Sequence, residues 1–122
     1  MSTWLAIFIG GGLGSVARFG ITRGLLALDL RGAFPWATLA SNALASLLLA
    51  WLLLRWAPAG AERPAMAAFA TIGFCGGFST FSTFSYENFL LMRQGLFGMA
   101  AVNVAVSLLL CIGAFFLLAR GT

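Results

Sequence analysis

The sequence predicts an all-helical membrane protein with four transmembrane helices. Of its 122 residues, 61% are hydrophobic and 8% are charged, whereas about a quarter of the residues of a soluble domain carry a charge. Apolar runs that reach the roughly 20 residues needed to cross a bilayer alternate with short segments that contain charges and prolines. We therefore expect a multi-pass protein of the cell membrane, surrounded by the lipid bilayer, with a single domain over residues 1–122.

The first two spans are predicted over residues 3–28 and 36–56. The segment between them contains Asp29 and Arg31, and the second run stays uncharged until Arg55. Connections this short predict that neighbouring helices run antiparallel.

The third span, predicted over residues 65–92, is too long for one straight helix across the membrane. At about 1.5 Å per residue it would reach roughly 42 Å, whereas the hydrocarbon core measures about 30 Å. Gly76 and Gly77 loosen the helix, and five hydroxyl side chains follow within residues 79–85. Polar groups at this depth usually face a bundle interior or a wet path. We expect a helix broken near these glycines beside an ion path, and a fourth span over residues 96–119.

The basic residues are all arginines, and they are divided almost equally between the two ends of the spans. If the N-terminus is cytoplasmic, the arginines on the inner side are Arg55, Arg63 and Arg120. Those on the outer side are Arg23, Arg31 and Arg93, to which Arg18 can be added. The arginine and lysine bias between loops sets orientation. The near balance therefore predicts insertion in both orientations and an antiparallel homodimer; one real orientation with a weak signal is the alternative.

Dimerisation has a second motive, because one four-helix chain encloses only a modest interior. Gly10 and Gly14 form a small-residue face of the kind through which membrane helices associate, and Asn42 and Asn103 supply polar contacts. We expect an obligate dimer. Isolated arginines at the ends of apolar runs are interfacial anchors, so nucleic acid is not an expected partner.

An enzyme is not predicted. The sequence contains no histidine, and its three acidic residues are far apart, so neither a general acid–base pair nor a zinc site is apparent. Cys75 and Cys111 are interpreted as small buried hydrophobes. The glycine cluster at residues 10–14 lacks the strand context and the lysine of a nucleotide-binding loop.

Polar residues at membrane depth repeat at helical spacing in two spans. Thr38 and Asn42 share one face of the second span, and Asn103, Ser107 and Cys111 share one face of the fourth. Together with the hydroxyls of the third span, they offer neutral hydrogen-bond donors that can replace water around an anion. The alternative is that they only join helices, at about 0.6 kcal/mol per contact.

Three further residues are candidates for contact with an anion. Phe81 and Phe84 lie on one face, and the positive edge of an aromatic ring suits an anion in a dry passage. Arg18 either extends to the interface or attracts anions into an aqueous vestibule. Glu87 ends the polar segment and is a possible partner for an arginine.

These motifs resemble those of the Fluc (CrcB) fluoride channels. The run from Gly73 to Phe84, with Glu87, is similar to the glycine-rich signature of that family's third helix. The Thr38-Leu-Ala-Ser-Asn42 segment is similar to its second-helix motif, and Gly14-Ser-Val-Ala-Arg18 to its first-helix motif. The length, the four spans and the balanced arginines are similar as well, so that the resemblance extends over essentially the whole chain.

The resemblance implies an antiparallel, dual-topology homodimer with two pores that passively exports fluoride and so reduces its toxicity. It implies that Asn42 binds fluoride and that Phe81 and Phe84 form an aromatic box. The remaining implied pore hydroxyls are Thr38, Ser82, Thr83 and Ser107. Arg18 would lie towards a vestibule. The backbone carbonyls near Gly76 and Ser79 of both subunits would hold a structural sodium ion at the dimer centre.

The sequence departs from the family pattern at four positions. Ser41 stands where valine is usual, and Ser79 replaces a threonine. Asn103 and Cys111 stand where a tyrosine and a serine are common, which affects the outer part of the polar face of the fourth span.

Two other functions compete with a fluoride channel. The first is a small multidrug-type, proton-coupled exporter, which has a similar length and dual topology. Such exporters carry a glutamate in the first helix, and this chain has no acid between Trp4 and Leu28. The second is a structural membrane subunit without transport of its own, which would leave the aligned polar residues unexplained.

Overall fold

The computed structural model describes residues 2–28, 32–56 and 62–120, so the predicted loop residues Asp29 and Arg31 lie outside the described residues. The described chain is helical apart from short connections. Its four helices long and apolar enough to cross a membrane are Thr3–Ala27, Trp36–Trp56, Pro64–Arg93 and Phe97–Ala119, here called the first to fourth spans. They confirm the prediction of an all-helical, multi-pass membrane protein.

The first span packs against the third through glycines. A Cβ atom on Gly14 would lie 2.2 Å from the carbonyl oxygen of Phe74, and one on Gly77 would lie 2.3 Å from the carbonyl oxygen of Gly11. Gly10 and Gly73 make the same kind of approach one turn away. The predicted small-residue face is therefore occupied within the chain. The third span covers this face within one chain, and the expected dimer stays a prediction.

The second span is an α-helix over Trp36–Trp51 that continues as a wider π-helical turn, Leu52–Trp56. Within this turn Arg55 donates from Nε to the Leu118 carbonyl and from Nη2 to the Arg120 carbonyl, both over 3.0 Å. The last carbonyls of a helix lack partners within the helix and carry partial negative charge. Arg55 therefore caps the fourth span, and Arg55 and Arg120 lie at the same end of the bundle.

The third span consists of several segments. They are the α-helix Pro64–Ala68, the π-helix Phe69–Cys75, the α-helical turn Gly76–Phe78 and the α-helix Ser82–Arg93. Ser79 has extended backbone angles, φ −83° and ψ 160°, and residues 79–81 are not helical. The helix thus continues through Gly76 and Gly77, where an interruption was expected, because close packing against the first span holds this backbone in place.

A tight turn joins the third span to the fourth. Gly95 has a φ of +79°, which a residue without a Cβ atom adopts at little cost. Its amide bonds the Met92 carbonyl over 3.0 Å, and the Leu96 amide bonds the Leu91 carbonyl over 2.8 Å. This is the Schellman pattern that ends many helices, and it lets the fourth span return antiparallel to Ser82–Arg93.

Candidate pore site

The non-helical residues of the third span border a cavity of about 250 Å³ between the second, third and fourth spans. Its lining residues are Asn42, Ser46, Ser79, Thr80, Phe81, Phe84, Ser107, Leu108 and Cys111. If the helix continued through residues 79–81, the backbone amides and carbonyls of this stretch would be hydrogen-bonded within the helix. The interruption instead brings a short stretch of backbone and several hydroxyls to one side of this cavity.

Asn42 holds the interruption in place with both ends of its side-chain amide. Its Nδ2 atom donates to the Thr80 carbonyl over 3.1 Å, and its Oδ1 atom accepts from the Thr80 amide over 2.7 Å. In a continuing helix the Thr80 amide would bond the Gly76 carbonyl four residues earlier. The second span therefore takes over a hydrogen bond of the third, at the membrane depth where an unpaired amide is costly.

Thr80 and Ser79 satisfy the two helix ends on either side of the interruption. The Thr80 hydroxyl oxygen accepts from the Thr83 amide over 3.2 Å and lies 3.4 Å from the Ser82 hydroxyl. The Ser79 hydroxyl donates to the Cys75 carbonyl over 2.9 Å. Hydroxyl side chains commonly cap helix starts in this way. Thr80, two residues before the helix Ser82–Arg93, therefore supports its first turn.

Phe81 and Phe84 lie side by side at the cavity. Their ring centroids are 5.7 Å apart with an interplanar angle of 40°, within the range of favourable aromatic pairs. Phe81 is nevertheless 79% exposed in the single chain. This pair flanks the N-terminal end of a 12-residue helix, which carries partial positive charge.

A buried chain of hydrogen bonds joins the third and fourth spans on the far side of the cavity. Asn88 donates to the Phe84 carbonyl over 3.0 Å, and Asn103 donates to the Asn88 side-chain oxygen over 2.9 Å. Ser107 donates to the Asn103 side-chain oxygen over 3.3 Å. Asn103 is only 1% exposed. These bonds fix the position of Ser82–Arg93 relative to the fourth span.

A second, smaller cavity of about 140 Å³ lies on the other side of Ser79. Gly76, Thr71 and Ser46 are among its lining residues, and Ser46 and Ser79 border both cavities. The two positions at which backbone carbonyls were expected to bind sodium, Gly76 and Ser79, therefore share this cavity.

Arg18 lies at the end of the first half of the third span. Its Nε atom donates to the Gly77 carbonyl over 3.2 Å, and its side chain is partly buried. The Gly77 carbonyl would bond the amide of residue 81 if the helix continued. Arg18 therefore caps this helix end, and its predicted place in a vestibule stays a prediction.

Glu87 lies away from the cavity that Asn42 borders. It contributes to a separate cavity of about 290 Å³ with Thr22, Phe34 and Trp36. Within the described residues, its Oε1 atom and the Ser41 hydroxyl are the buried side-chain oxygens without a hydrogen-bond partner. The expected pairing of Glu87 with an arginine is not among the contacts that the described ranges make.

The structure brings some of the predicted pore residues together and leaves others apart. Asn42, Phe81, Phe84 and Ser107 line the cavity at residues 79–81 together with Ser79. The residues outside its lining are Thr38, Ser82, Thr83, Gly76 and Arg18. Thr38 is buried, and Thr83 uses its backbone amide to bond Thr80.

Three residues of the site were not among the predicted set. Thr80 precedes Thr83 by three residues, which is the spacing of a helix cap, so this signal was available in the sequence. Ser46 lies one turn beyond Asn42 and shares its face. Asn88 gives no such signal, because its partner Asn103 lies 15 residues away along the chain.

The site is neutral and has no cluster typical of a transition-metal centre. In the part of the chain that the structure describes, no group of three or more histidine, cysteine or acidic side chains could hold a metal ion. Cys75 and Cys111 are free thiols. What the cavity offers is hydroxyls, one carboxamide, backbone carbonyls and aromatic edges.

Comparison with known proteins identifies the family. The family model described as "CrcB-like protein, Camphor Resistance (CrcB)" matches residues 5–119. The chain is 43% identical over 112 residues to a fluoride-specific ion channel FluC of Geobacter sulfurreducens, with 92% of this chain and 90% of the relative covered. It is 46% identical over 116 residues to the protein of that name in Thermococcus gammatolerans, with 93% and 89% covered. The chain therefore belongs to the CrcB family, as its motifs indicated.

Proposed function

We propose that this chain is a fluoride-selective channel that lets fluoride leave the cell passively across the cell membrane and so reduces its toxicity. Family membership supports this function, since relatives at 43% and 46% identity are named fluoride-specific ion channels. The observation that carries it is the cavity at residues 79–81, where a carboxamide, hydroxyls and aromatic rings of three apolar spans meet. The proton-coupled exporter gains no support from the site, and the relatives are named as ion channels.

Fluoride is a small, strongly hydrated anion, so a passage through the bilayer has to replace its water. Asn42 has two amide hydrogens, and the Thr80 carbonyl takes one of them; we assign the other to fluoride. The Ser46 and Thr80 hydroxyls border the same cavity. The N-terminal end of Ser82–Arg93 adds partial positive charge without a fixed cation. Such a set binds an anion weakly enough for it to leave again.

The two phenylalanines support selectivity for a small anion. At a centroid distance of 5.7 Å, Phe81 and Phe84 restrict the passage sideways and can turn positive ring edges towards an ion. A larger, more polarisable halide gains less from each edge and needs more room. Of the remaining predicted pore residues, Thr38, Ser82 and Thr83 would extend the route beyond this cavity, and Arg18 would act at its vestibule.

We further propose that the working unit is an antiparallel, dual-topology homodimer in which the third span of each copy acts as a broken helix. Phe81 is 79% exposed in the single chain, and the Ser82 and Ser85 side chains are exposed in the same part of the span. Polar groups at membrane depth are costly against lipid. A second copy over this surface would cover them, and the balanced arginines favour the antiparallel arrangement.

A structural sodium ion at the dimer centre fits the residues present. Because the Thr80 amide bonds Asn42, the Gly76 carbonyl is released from its usual helical donor. Ser79, in extended conformation, borders the same cavity as Gly76. Neutral oxygens are the ligands that hard cations accept, and two copies would supply two pairs of carbonyls. Purification in a sodium-free buffer should lower dimer stability; equal stability in both buffers would contradict the site.

The proposed function is tested with purified protein in liposomes loaded with fluoride and chloride. A fluoride electrode should record rapid efflux from protein-containing vesicles and none from protein-free vesicles, while a chloride electrode records little change. Efflux should be the same with and without a pH gradient. Chloride release at a comparable rate would contradict selectivity, and dependence on the pH gradient would favour the exporter.

A further inference from the structure

The hydrogen-bond chain from Phe84 to Ser107 runs in a single direction, and its first acceptor sets that direction. The Phe84 carbonyl can only accept a hydrogen bond, so Asn88 must turn its nitrogen towards it. The Asn88 oxygen then faces Asn103 and requires a donor, which the Asn103 nitrogen provides over 2.9 Å. Reversing either amide would place two acceptors against each other at a buried site, which is costly.

The last member of the chain is Ser107, and it also borders the cavity. Because the Asn103 nitrogen is committed to Asn88, the Asn103 oxygen is what Ser107 meets, and the Ser107 hydroxyl donates to it over 3.3 Å. A serine hydroxyl has one hydrogen. With that hydrogen directed at Asn103, the oxygen presents lone pairs to the cavity. Burial of all three side chains, each at most 7% exposed, keeps water from reorienting them.

We propose that Asn88 and Asn103 are positioning residues. They direct the hydrogen of the Ser107 hydroxyl towards Asn103, so that Ser107 does not donate a hydrogen bond into the cavity. This inference rests on the proposed fluoride function. Donors then reach the ion from the second and third spans, while the fourth span offers an acceptor that repels it. Conduction requires that an ion be held weakly enough to leave. The two asparagines would thus keep fluoride from binding too tightly at this point.

The sharpest test is Asn103→Leu, which removes the acceptor and frees the Ser107 hydroxyl to donate into the cavity. A hydrogen bond to a charged partner corresponds to about tenfold or more in affinity. In the liposome assay, we expect the fluoride concentration at half-maximal flux to fall about tenfold and the maximal flux to fall as well. Asn88→Leu should change both quantities in the same direction, because the released Asn103 amide can then reverse.

The double variant Asn103→Leu with Ser107→Ala decides between positioning and mere packing. It removes the freed hydroxyl, so both the half-saturating concentration and the maximal flux should return towards wild type. If Asn103→Leu alone does not fold, the fallback is the double variant Asn88→Leu with Asn103→Leu. It replaces both amides by apolar side chains and leaves no buried partner unsatisfied. The same comparison is then made in this background, with and without Ser107→Ala.

Each outcome bears on the inference. A loss of flux at an unchanged or raised half-saturating concentration, with no recovery on adding Ser107→Ala, would overturn it and show that the asparagines only hold the helices together. Absence of fluoride flux through the wild-type protein is a different result, seen before any variant is made, and it would overturn the proposed function itself.

Discussion

The third span is held on its two sides by contacts of different kinds. Towards the first span the contact is backbone against backbone, so close that a Cβ atom on Gly14 would lie 2.2 Å from the Phe74 carbonyl oxygen. Towards the fourth span it is made by buried polar side chains, with Asn103 bonded to Asn88 over 2.9 Å. The first contact depends on the absence of side chains, and the second depends on where their hydrogens point.

Different contacts therefore determine where the backbone of the third span lies and which polar atoms face the cavity. Close glycine packing determines where residues 64–78 lie, but it puts no donor into the cavity. The polar contact with the fourth span requires less close packing, but it fixes the direction of each hydrogen bond. It can therefore determine which atoms face an ion. Between them, residues 79–81 belong to neither region and are held by Asn42 of the second span.

The largest expected effect comes from adding a methyl group to the glycine contact. Gly14→Ala should clash with backbone that has no side chain to move aside, and overpacking of this kind typically costs about 1–3 kcal/mol or more. We expect little folded protein and no fluoride flux, measured by thermal unfolding in detergent and by liposome efflux. Gly12→Ala is the matched control, because its Cβ atom would meet nothing within 4 Å. Equal stability of both variants would mean that the contact is not as tight as described.

The second prediction concerns the cavity rather than the packing. Phe81→Ile and Phe84→Ile remove the ring edges and should lower fluoride flux at least about tenfold, as expected when a charge-stabilising contact worth roughly 1.4 kcal/mol or more is lost. Both variants should still fold, since neither residue takes part in the glycine contact within the chain. The oligomer should persist on a sizing column, because isoleucine keeps an apolar side chain on the surface proposed to face the second copy. Phe116→Ile is the control, because Phe116 is 73% exposed, much as Phe81 is, and does not border the cavity. Normal conduction by both cavity variants would exclude the role of the ring edges.

Much of the fold was predictable because it follows from length and hydropathy. Apolar runs between charges and prolines define four spans, and the described residues contain four helices of that kind. The spacing of Gly10 and Gly14 indicated a close helix contact, but the spacing cannot name the partner: the same motif would serve a second copy or another span. The third span took this place because Gly73 and Gly77 have the matching spacing.

The site was predictable where neighbours along a helix share a face, and not where distant residues meet. Phe81 and Phe84 are three apart, and Phe81 keeps helix-like backbone angles directly before the helix Ser82–Arg93, so their proximity follows from the spacing. The resemblance implied that Asn42 binds fluoride but did not indicate that the same amide also bonds Thr80, because sequence spacing does not show which backbone groups an interruption leaves open. Asn88 and Asn103 are joined only by the way Ser82–Arg93 folds back on the fourth span.

The smallest effect tests whether residues 79–81 are an independent element. Thr80→Val keeps the shape of the side chain and removes the oxygen that accepts from the Thr83 amide. Loss of such a cap costs about 0.5–2 kcal/mol, so we expect the temperature of unfolding to fall by less than in Gly14→Ala. Thr80→Ser retains the oxygen and should behave like wild type in the same measurement.

The comparison of interest is between the fall in unfolding temperature of Thr80→Val and that of Gly14→Ala. If residues 79–81 are held mainly by Asn42, through two bonds to the Thr80 backbone that a valine leaves intact, the helix Ser82–Arg93 should still start at the same residue. A loss in Thr80→Val as large as that in Gly14→Ala would instead show that the hydroxyl cap, rather than Asn42, positions this helix. The position of the backbone at residues 79–81 would then depend on the Thr80 hydroxyl. This would contradict the distinction between backbone contacts, which place the third span, and side-chain contacts, which orient its polar groups.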